Sequence, residues 1–100
     1  MEELENIVFR LKTNYQPEKI ILFGSYAEGV PTEESDLDIL IIKDTDKNPW
    51  KRSEEIDRFM PPNIPLDILV YTPLEVAERL RMNDLFIREI IEKGRILYEK

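Results

Sequence analysis

Cysteine and histidine are both absent from this 100-residue chain, and each absence removes a class of chemistry. Without cysteine there is no disulfide, no zinc finger and no thiol nucleophile. Without histidine, general-base catalysis near neutral pH falls to a carboxylate, a lysine or a tyrosine. A metal site built from the remaining oxygen ligands favours a hard ion, Mg²⁺ or Mn²⁺, over zinc or copper.

Long hydrophobic runs and a basic charge balance are lacking too. No apolar stretch approaches the roughly 20 residues that span a bilayer, and the N-terminal residues Met-Glu-Glu-Leu-Glu are acidic where a signal peptide is basic. We therefore expect a cytoplasmic protein with no membrane segment. The formal net charge of -7 argues against direct nucleic-acid binding, because proteins that bind nucleic acids usually carry a basic face.

Hydrophobic residues make up 42% of the chain, which is enough for one small core. A chain of this length predicts one domain, spanning residues 1–100, and not two.

The chain is organised around residues 20–42, where two apolar runs flank a polar loop. The first run ends in Gly24 and Ser25, and the second begins at Asp36-Leu37-Asp38. Because strand side chains alternate with period two, Asp36 and Asp38 should point to the same side of one strand. Two adjacent carboxylates repel each other, and a divalent cation would relieve that repulsion. The alternative for the pair is a set of plain solvated turn acids.

The Gly-Ser turn predicts a binding site for phosphate beside the predicted cation site. Gly24 allows a positive φ or a close approach of the backbone to a ligand. Ser25 and the amides that follow it can donate to phosphate oxygens at a helix N-terminus, and a role of Ser25 as helix N-cap is compatible with this.

A third acid, Asp67, lies in another apolar run, residues 66–71. A charge flanked by apolar residues in a strand needs a partner or a metal. If this strand lies beside the Asp36–Asp38 strand, three carboxylates converge on one site. The alternative for Asp67 is a strand-end acid or a salt-bridge partner.

The order of predicted elements indicates an α/β fold. Helical periodicity predicts a helix over residues 2–12, and apolar runs predict strands over residues 19–23, 37–42 and 66–71, the second central and covered on both faces. Further helices are predicted over residues 25–29 and 49–59, and from Thr72-Pro73. A last helix begins at Asn83 or Asp84 and ends at Gly94, with Leu85, Phe86, Ile90 and Ile91 on its inner face. Residues 95–98 form either a short edge strand or a frayed tail.

Gly24-Ser25, ten intervening residues and Asp36-x-Asp38 resemble the signature of nucleotidyltransferases related to DNA polymerase beta, and especially the minimal nucleotidyltransferase (MNT) group. The resemblance implies a small mixed β-sheet palm flanked by helices. It also implies transfer of AMP from ATP, with two Mg²⁺ ions, or Mn²⁺, held by the catalytic acids Asp36, Asp38 and Asp67. Gly24 and Ser25 would bind the β- and γ-phosphates.

Members of the MNT group are often paired with a helical HEPN protein. By resemblance, the chain is expected to act as an antitoxin that forms a hetero-oligomer with a HEPN ribonuclease toxin and adenylylates one of its tyrosines. Two alternatives stay open: a binding module that inhibits its partner without catalysis, and a transferase to a small molecule whose pocket a partner chain completes. The acceptor, the base preference and the oligomeric state are open at this point.

The chain departs from the family pattern at Glu28, where relatives often carry a basic residue. The positive charge for the triphosphate must then come from elsewhere, and the candidates are Lys43, Lys51, Arg52 and Arg58.

Overall fold

Five helices and four strands occur in the part of the chain that the computed structural model describes, residues 2–29 and 36–100. The helices are α1 (Glu2–Asn14), α2 (Ser25–Glu28), α3 (Pro49–Asp57), α4 (Pro73–Arg81) and α5 (Leu85–Lys93). The strands are β1 (Lys19–Phe23), β2 (Leu37–Ile42), β3 (Leu66–Tyr71) and β4 (Arg95–Glu99). Among these described helices, not one combines the length and apolar character required to cross a bilayer.

The four strands form one mixed sheet in the order β3-β2-β1-β4. Strand β1 runs antiparallel to both β2 and β4, whereas β2 and β3 are parallel. The predicted mixed sheet with flanking helices is therefore confirmed. The C-terminal segment, for which the sequence left two alternatives, is an edge strand.

The two central strands are apolar on both faces because helices cover both sides of the sheet. On one face, Ile39 and Ile41 of β2 pack with Ile7 of α1 and Ile56 of α3. On the other face, Leu40 and Ile42 of β2 pack with buried residues of α4 and α5, namely Val76, Ile87 and Ile90. Even-numbered positions of β2, including Asp38, thus belong to the face that α4 and α5 cover.

Side-chain caps fix where three helices begin. Asn48 accepts a hydrogen bond from the Lys51 amide ahead of Pro49, and Asp84 accepts from the amides of the second and third residues of α5. At α4, Thr72 and Glu75 form a capping box in which each side chain accepts from the other residue's amide. The sequence predicted a helix start at Thr72-Pro73 and offered Asp84 as one of two caps for α5, but it did not single out Asn48. All three caps satisfy amides that a helix leaves unpaired.

The predicted inner face of α5 is partly wrong. Ile87 and Ile90 are buried, while Leu85 is 71% exposed and Phe86 is 51% exposed. Ile91, also expected inside, is 37% exposed. Apolar residues occupy more than one face of this helix, so composition alone did not fix which face meets the sheet.

A buried arginine links α3, β3 and α4. Arg52 is 5% exposed, and its guanidinium donates to both carboxylate oxygens of Glu75 at 2.7 and 3.3 Å. It also donates to the carbonyls of Lys47 at 2.7 Å and Val70 at 3.2 Å. The Arg52 hydrogen bond is the main reason that the pKa of Glu75 lies below its ordinary value. This network holds two helices against opposite faces of the β3 edge.

Candidate active site

The three acids singled out in the sequence lie at one end of the sheet. Asp38 and Asp67 are paired in the register of the parallel strands β2 and β3, and Asp36 directly precedes β2. Neighbouring strands lie about 4.8 Å apart, so paired side chains stand next to each other on the same face. The condition set by the sequence, that the Asp67 strand adjoins the Asp36–Asp38 strand, is met.

Electrostatic repulsion within this group acts on Asp38. Burial raises the pKa of Asp38, and the charges of Asp67 and then Asp36 raise it further. Both neighbours must therefore be near enough to destabilise the charged form of the Asp38 carboxylate. Over residues 2–29 and 36–100, however, no three acidic side chains stand close enough to hold a metal ion as they are placed.

Asp67 is not the buried charge that its apolar neighbours suggested. The residue is exposed, because it lies at the start of an edge strand. Leu66 and Ile68, on either side of it, pack against the core on the opposite face. Because Asp67 is exposed, its charge needs no partner or metal on the ground of burial. It is a candidate site residue because it lies beside Asp38.

Gly24 lies directly against the Asp38 carboxylate. Its backbone, with φ 75° and ψ -157°, occupies a region that is essentially restricted to glycine. A Cβ atom at this position would overlap Asp38 Oδ2 and lie 3.1 Å from Asp38 Cγ. The positive φ expected from the sequence is present, and the close contact that the structure shows is with Asp38, which joins the β1–α2 turn to the acidic group.

Ser25 is the first residue of α2 and not its N-cap, a position that Gly24 occupies. Helix α2 has only four residues, and the Gly24 carbonyl accepts hydrogen bonds from Ala27 and Glu28 amides at 3.1 Å each. The N-cap interpretation of Ser25 is therefore wrong, and the turn places Ser25 immediately beside the Gly24–Asp38 contact.

The basic residues considered from the sequence are mostly engaged elsewhere. Lys43 donates to the main-chain carbonyls of Tyr15 and Gln16 at the end of α1, and Lys51 pairs with Glu54 at 3.5 Å. Arg52 is buried in its network with Glu75. In these contacts, the positive charges of the three residues are directed to partners outside the acidic group.

Helix α5 contributes residues that the sequence did not single out. A cleft of about 340 Å³ has Gly24 and Asp38 on one wall and Phe86, Glu89 and Lys93 of α5 on the other. These three positions repeat at intervals of three and four, the spacing of one helical face. That spacing was the available signal, but the sequence did not show which face of α5 meets the β1–α2 turn.

Comparison with known proteins gives a family and a fold. The family model described as "Polymerase beta, Nucleotidyltransferase" matches residues 5–100. A Methanocaldococcus jannaschii protein named "Putative protein adenylyltransferase" is 37% identical over 99 residues, covering 95% of this chain and 94% of that protein. A second protein of that organism, named in the same way, is 51% identical over 39 residues, 39% of each chain.

A solved structure has a similar fold. The crystal structure of a "putative nucleotidyltransferase" from Sulfolobus solfataricus matches with a TM-score of 0.70 and 20% sequence identity. The match covers 99% of this chain and 79% of that one. At this identity the likeness establishes the architecture and carries no argument about substrate.

Proposed function

The chain belongs to the polymerase beta nucleotidyltransferase family, and we propose from that premise that it transfers AMP from ATP to a hydroxyl of a second protein. The observation that carries this proposal is the pairing of Asp38 with Asp67 in adjacent parallel strands, with the Gly24 backbone against the Asp38 carboxylate. Nucleotidyl transfer needs such a juxtaposition of acids and a close backbone approach, because its catalysis is mainly positioning and charge neutralisation.

Asp36, Asp38 and Asp67 would hold two hard divalent cations, Mg²⁺ in the first place and Mn²⁺ as a substitute. The donor set fits, since all its ligand atoms are carboxylate oxygens. Burial and then repulsion from Asp67 and Asp36 raise the pKa of Asp38, and a cation would relieve that repulsion. Asp36 and Asp67 are exposed, so their side chains have room to rotate onto an ion. Such ions, when bound, neutralise the triphosphate and lower the pKa of the acceptor hydroxyl.

The chain's own residues then divide the remaining work. The Gly24 backbone and Ser25 hold the β- and γ-phosphates, which leave together as pyrophosphate. The acceptor oxygen forms a bond to the α-phosphorus as the bond to the bridging oxygen breaks, and the leaving pyrophosphate takes that electron pair. The chain has no histidine to take the hydroxyl proton, and we assign that role to Asp67, an exposed carboxylate on the edge strand β3.

A protein acceptor is supported by the naming of the relative that is 37% identical over nearly the whole chain. By resemblance to the MNT group, the acceptor that we propose is a tyrosine of a HEPN ribonuclease toxin, held in a hetero-oligomer in which this chain is the antitoxin. This partner assignment is an analogy with the family and needs its own test.

The test incubates the protein with Mg²⁺, labelled ATP and a candidate HEPN partner, and measures label and added AMP mass on the partner. Asp36→Asn/Asp38→Asn should abolish labelling. Asp44→Asn/Asp46→Asn, which removes two charges just beyond β2, is the matched control and should label as the wild type does.

Two results would count against the proposal in different ways. A tight complex in which the partner is inhibited but carries no label would favour inhibition by binding alone. Label that appears on a small molecule in the presence of the partner, and never on protein, would keep the transferase and overturn the protein acceptor.

A further inference from the structure

The cleft between α5 and the β1–α2 turn continues directly from the acidic group. It is lined by Gly24 and Asp38 and by Phe86 and Lys93 of α5. Its volume of about 340 Å³ lies within the range of small-molecule sites, roughly 300–1,000 Å³. A ligand anchored at Gly24 can therefore extend into it without leaving the protein surface.

The charges that line this cleft select against phosphate. Beyond the acidic group, Glu28 and Glu89 line it, and Lys93 is the one cation among the described residues that do so. Lys93 is moreover 3.6 Å from Glu89, which offsets its charge. A polyphosphate would meet net repulsion here, whereas an uncharged, flat ring would not.

Phe86 offers such a ring a surface. The Phe86 side chain is 51% exposed, whereas Ile87 and Ile90 of the same helix are buried. Its ring lies edge-to-face with that of Phe23, with centroids 5.8 Å apart and an interplanar angle of 86°. Phe23 is in turn the register partner of Asp38, so the aromatic pair is fixed relative to the acids.

From these features, we propose that the cleft receives the nucleoside half of the nucleotide, with the base packed against Phe86. The inference rests on the proposed nucleotidyl transfer and adds a binding residue to it. Stacking on an aromatic side chain tolerates any base because every base has a flat π-face, so Phe86 contributes affinity for the nucleoside and not a choice among bases. Phosphate contacts at Gly24 are independent of it.

The experiment measures the dissociation constants of ATP and of inorganic tripolyphosphate by calorimetry, both with Mg²⁺. We expect Phe86→Ala to weaken ATP binding about tenfold or more, the effect of losing one stacked base, and to change tripolyphosphate binding by less than about twofold. Phe86→Tyr should restore ATP binding, whereas Phe86→Leu, which preserves apolar packing against Phe23, should not. Leu85→Ala is the matched control, because this neighbour is 71% exposed and should leave both constants unchanged.

The outcomes separate this inference from the function on which it rests. Phe86→Leu that binds ATP as tightly as the wild type overturns the base site and leaves nucleotidyl transfer standing. Phe86 variants that weaken the binding of ATP and of tripolyphosphate to the same degree also overturn the base site, since the loss is then not specific to the nucleoside. A wild-type protein that binds neither ligand overturns the proposed function together with the inference.

Discussion

Replacement of Gly24 by alanine tests whether the position of Asp38 matters for activity. The new Cβ would overlap Asp38 Oδ2, and its backbone, at φ 75° and ψ -157°, would be strained in any residue but glycine. To restore van der Waals contact the carboxylate must move by roughly an ångström. Gly24→Ala is therefore expected to displace the Asp38 side chain, which we propose holds a cation, and to strain the turn at the same time.

The two effects have separate magnitudes. Backbone strain in this region costs about 1–3 kcal/mol of unfolding free energy, which lowers Tm by roughly 5–20 °C for a domain of this size. Misplacement of a reacting group by about 1 Å lowers the rate about 100-fold. We expect both losses, with the rate measured well below the unfolding transition so that they remain distinct.

Gly29→Ala provides the matched control. Gly29 also has a positive φ, 79°, but within the described residues nothing lies within 4 Å of its added Cβ. It should lose about 1–2 kcal/mol of stability to left-handed strain and keep its AMP-transfer rate. The reasoning fails if Gly24→Ala transfers AMP within about threefold of the Gly29→Ala control, because Asp38 could then move without consequence.

Three further predictions concern the link between α3, β3 and α4. Arg52→Met removes the buried donor to Glu75 and to the Val70 carbonyl. It should lower the free energy of unfolding, measured with urea, by about 2–4 kcal/mol. A loss below about 1 kcal/mol would contradict a structural role for the network. Because Arg52 lowers the pKa of Glu75 below its ordinary 4.5, the stability that Glu75 contributes is complete above pH 4.5 and is lost as pH falls through the lowered pKa. The stability difference between wild type and Glu75→Gln should therefore shrink in acid below pH 4.5, and a difference that stays constant down to pH 3 would refute the assignment. Thr72→Ala should cost about 1 kcal/mol through loss of the α4 cap, with Thr72→Ser closer to the wild type in a thermal melt; equal losses for both would show that the hydroxyl is not what stabilises the helix.

The strands were the most predictable part of the fold. The predicted ranges for β1, β2 and β3 coincide with the observed ones, because each is a short apolar run bounded by turn residues. Their burial on both faces follows from the same composition. The capping box at Thr72 was predictable for a similar reason, since its residues are local in sequence and satisfy each other's amides.

Long-range placement was less predictable. Five of the first seven residues of α5 are apolar, so periodicity did not define one inner face, and the exposure of Leu85 and Phe86 depends on how the helix docks. The cleft could not be predicted for the same reason, because Phe86 faces it only through that docking. The exposure of Asp67 likewise depends on the strand order, which puts β3 at an edge. The apolar residues that flank Asp67 in the sequence do not indicate whether its strand is central or at an edge.

The strand order also constrains the direction from which an acceptor arrives. Gly24 follows β1, Asp38 lies on the central strand β2, and Asp67 lies on the edge strand β3, so the three follow one line across the sheet. In-line displacement requires the attacking and leaving oxygens on opposite sides of the phosphorus. If pyrophosphate leaves at Gly24 and the nucleoside occupies the cleft beside α5, the β1 side of the site is filled. The acceptor hydroxyl must then approach across β3, where the exposed Asp67 carboxylate is the group it meets.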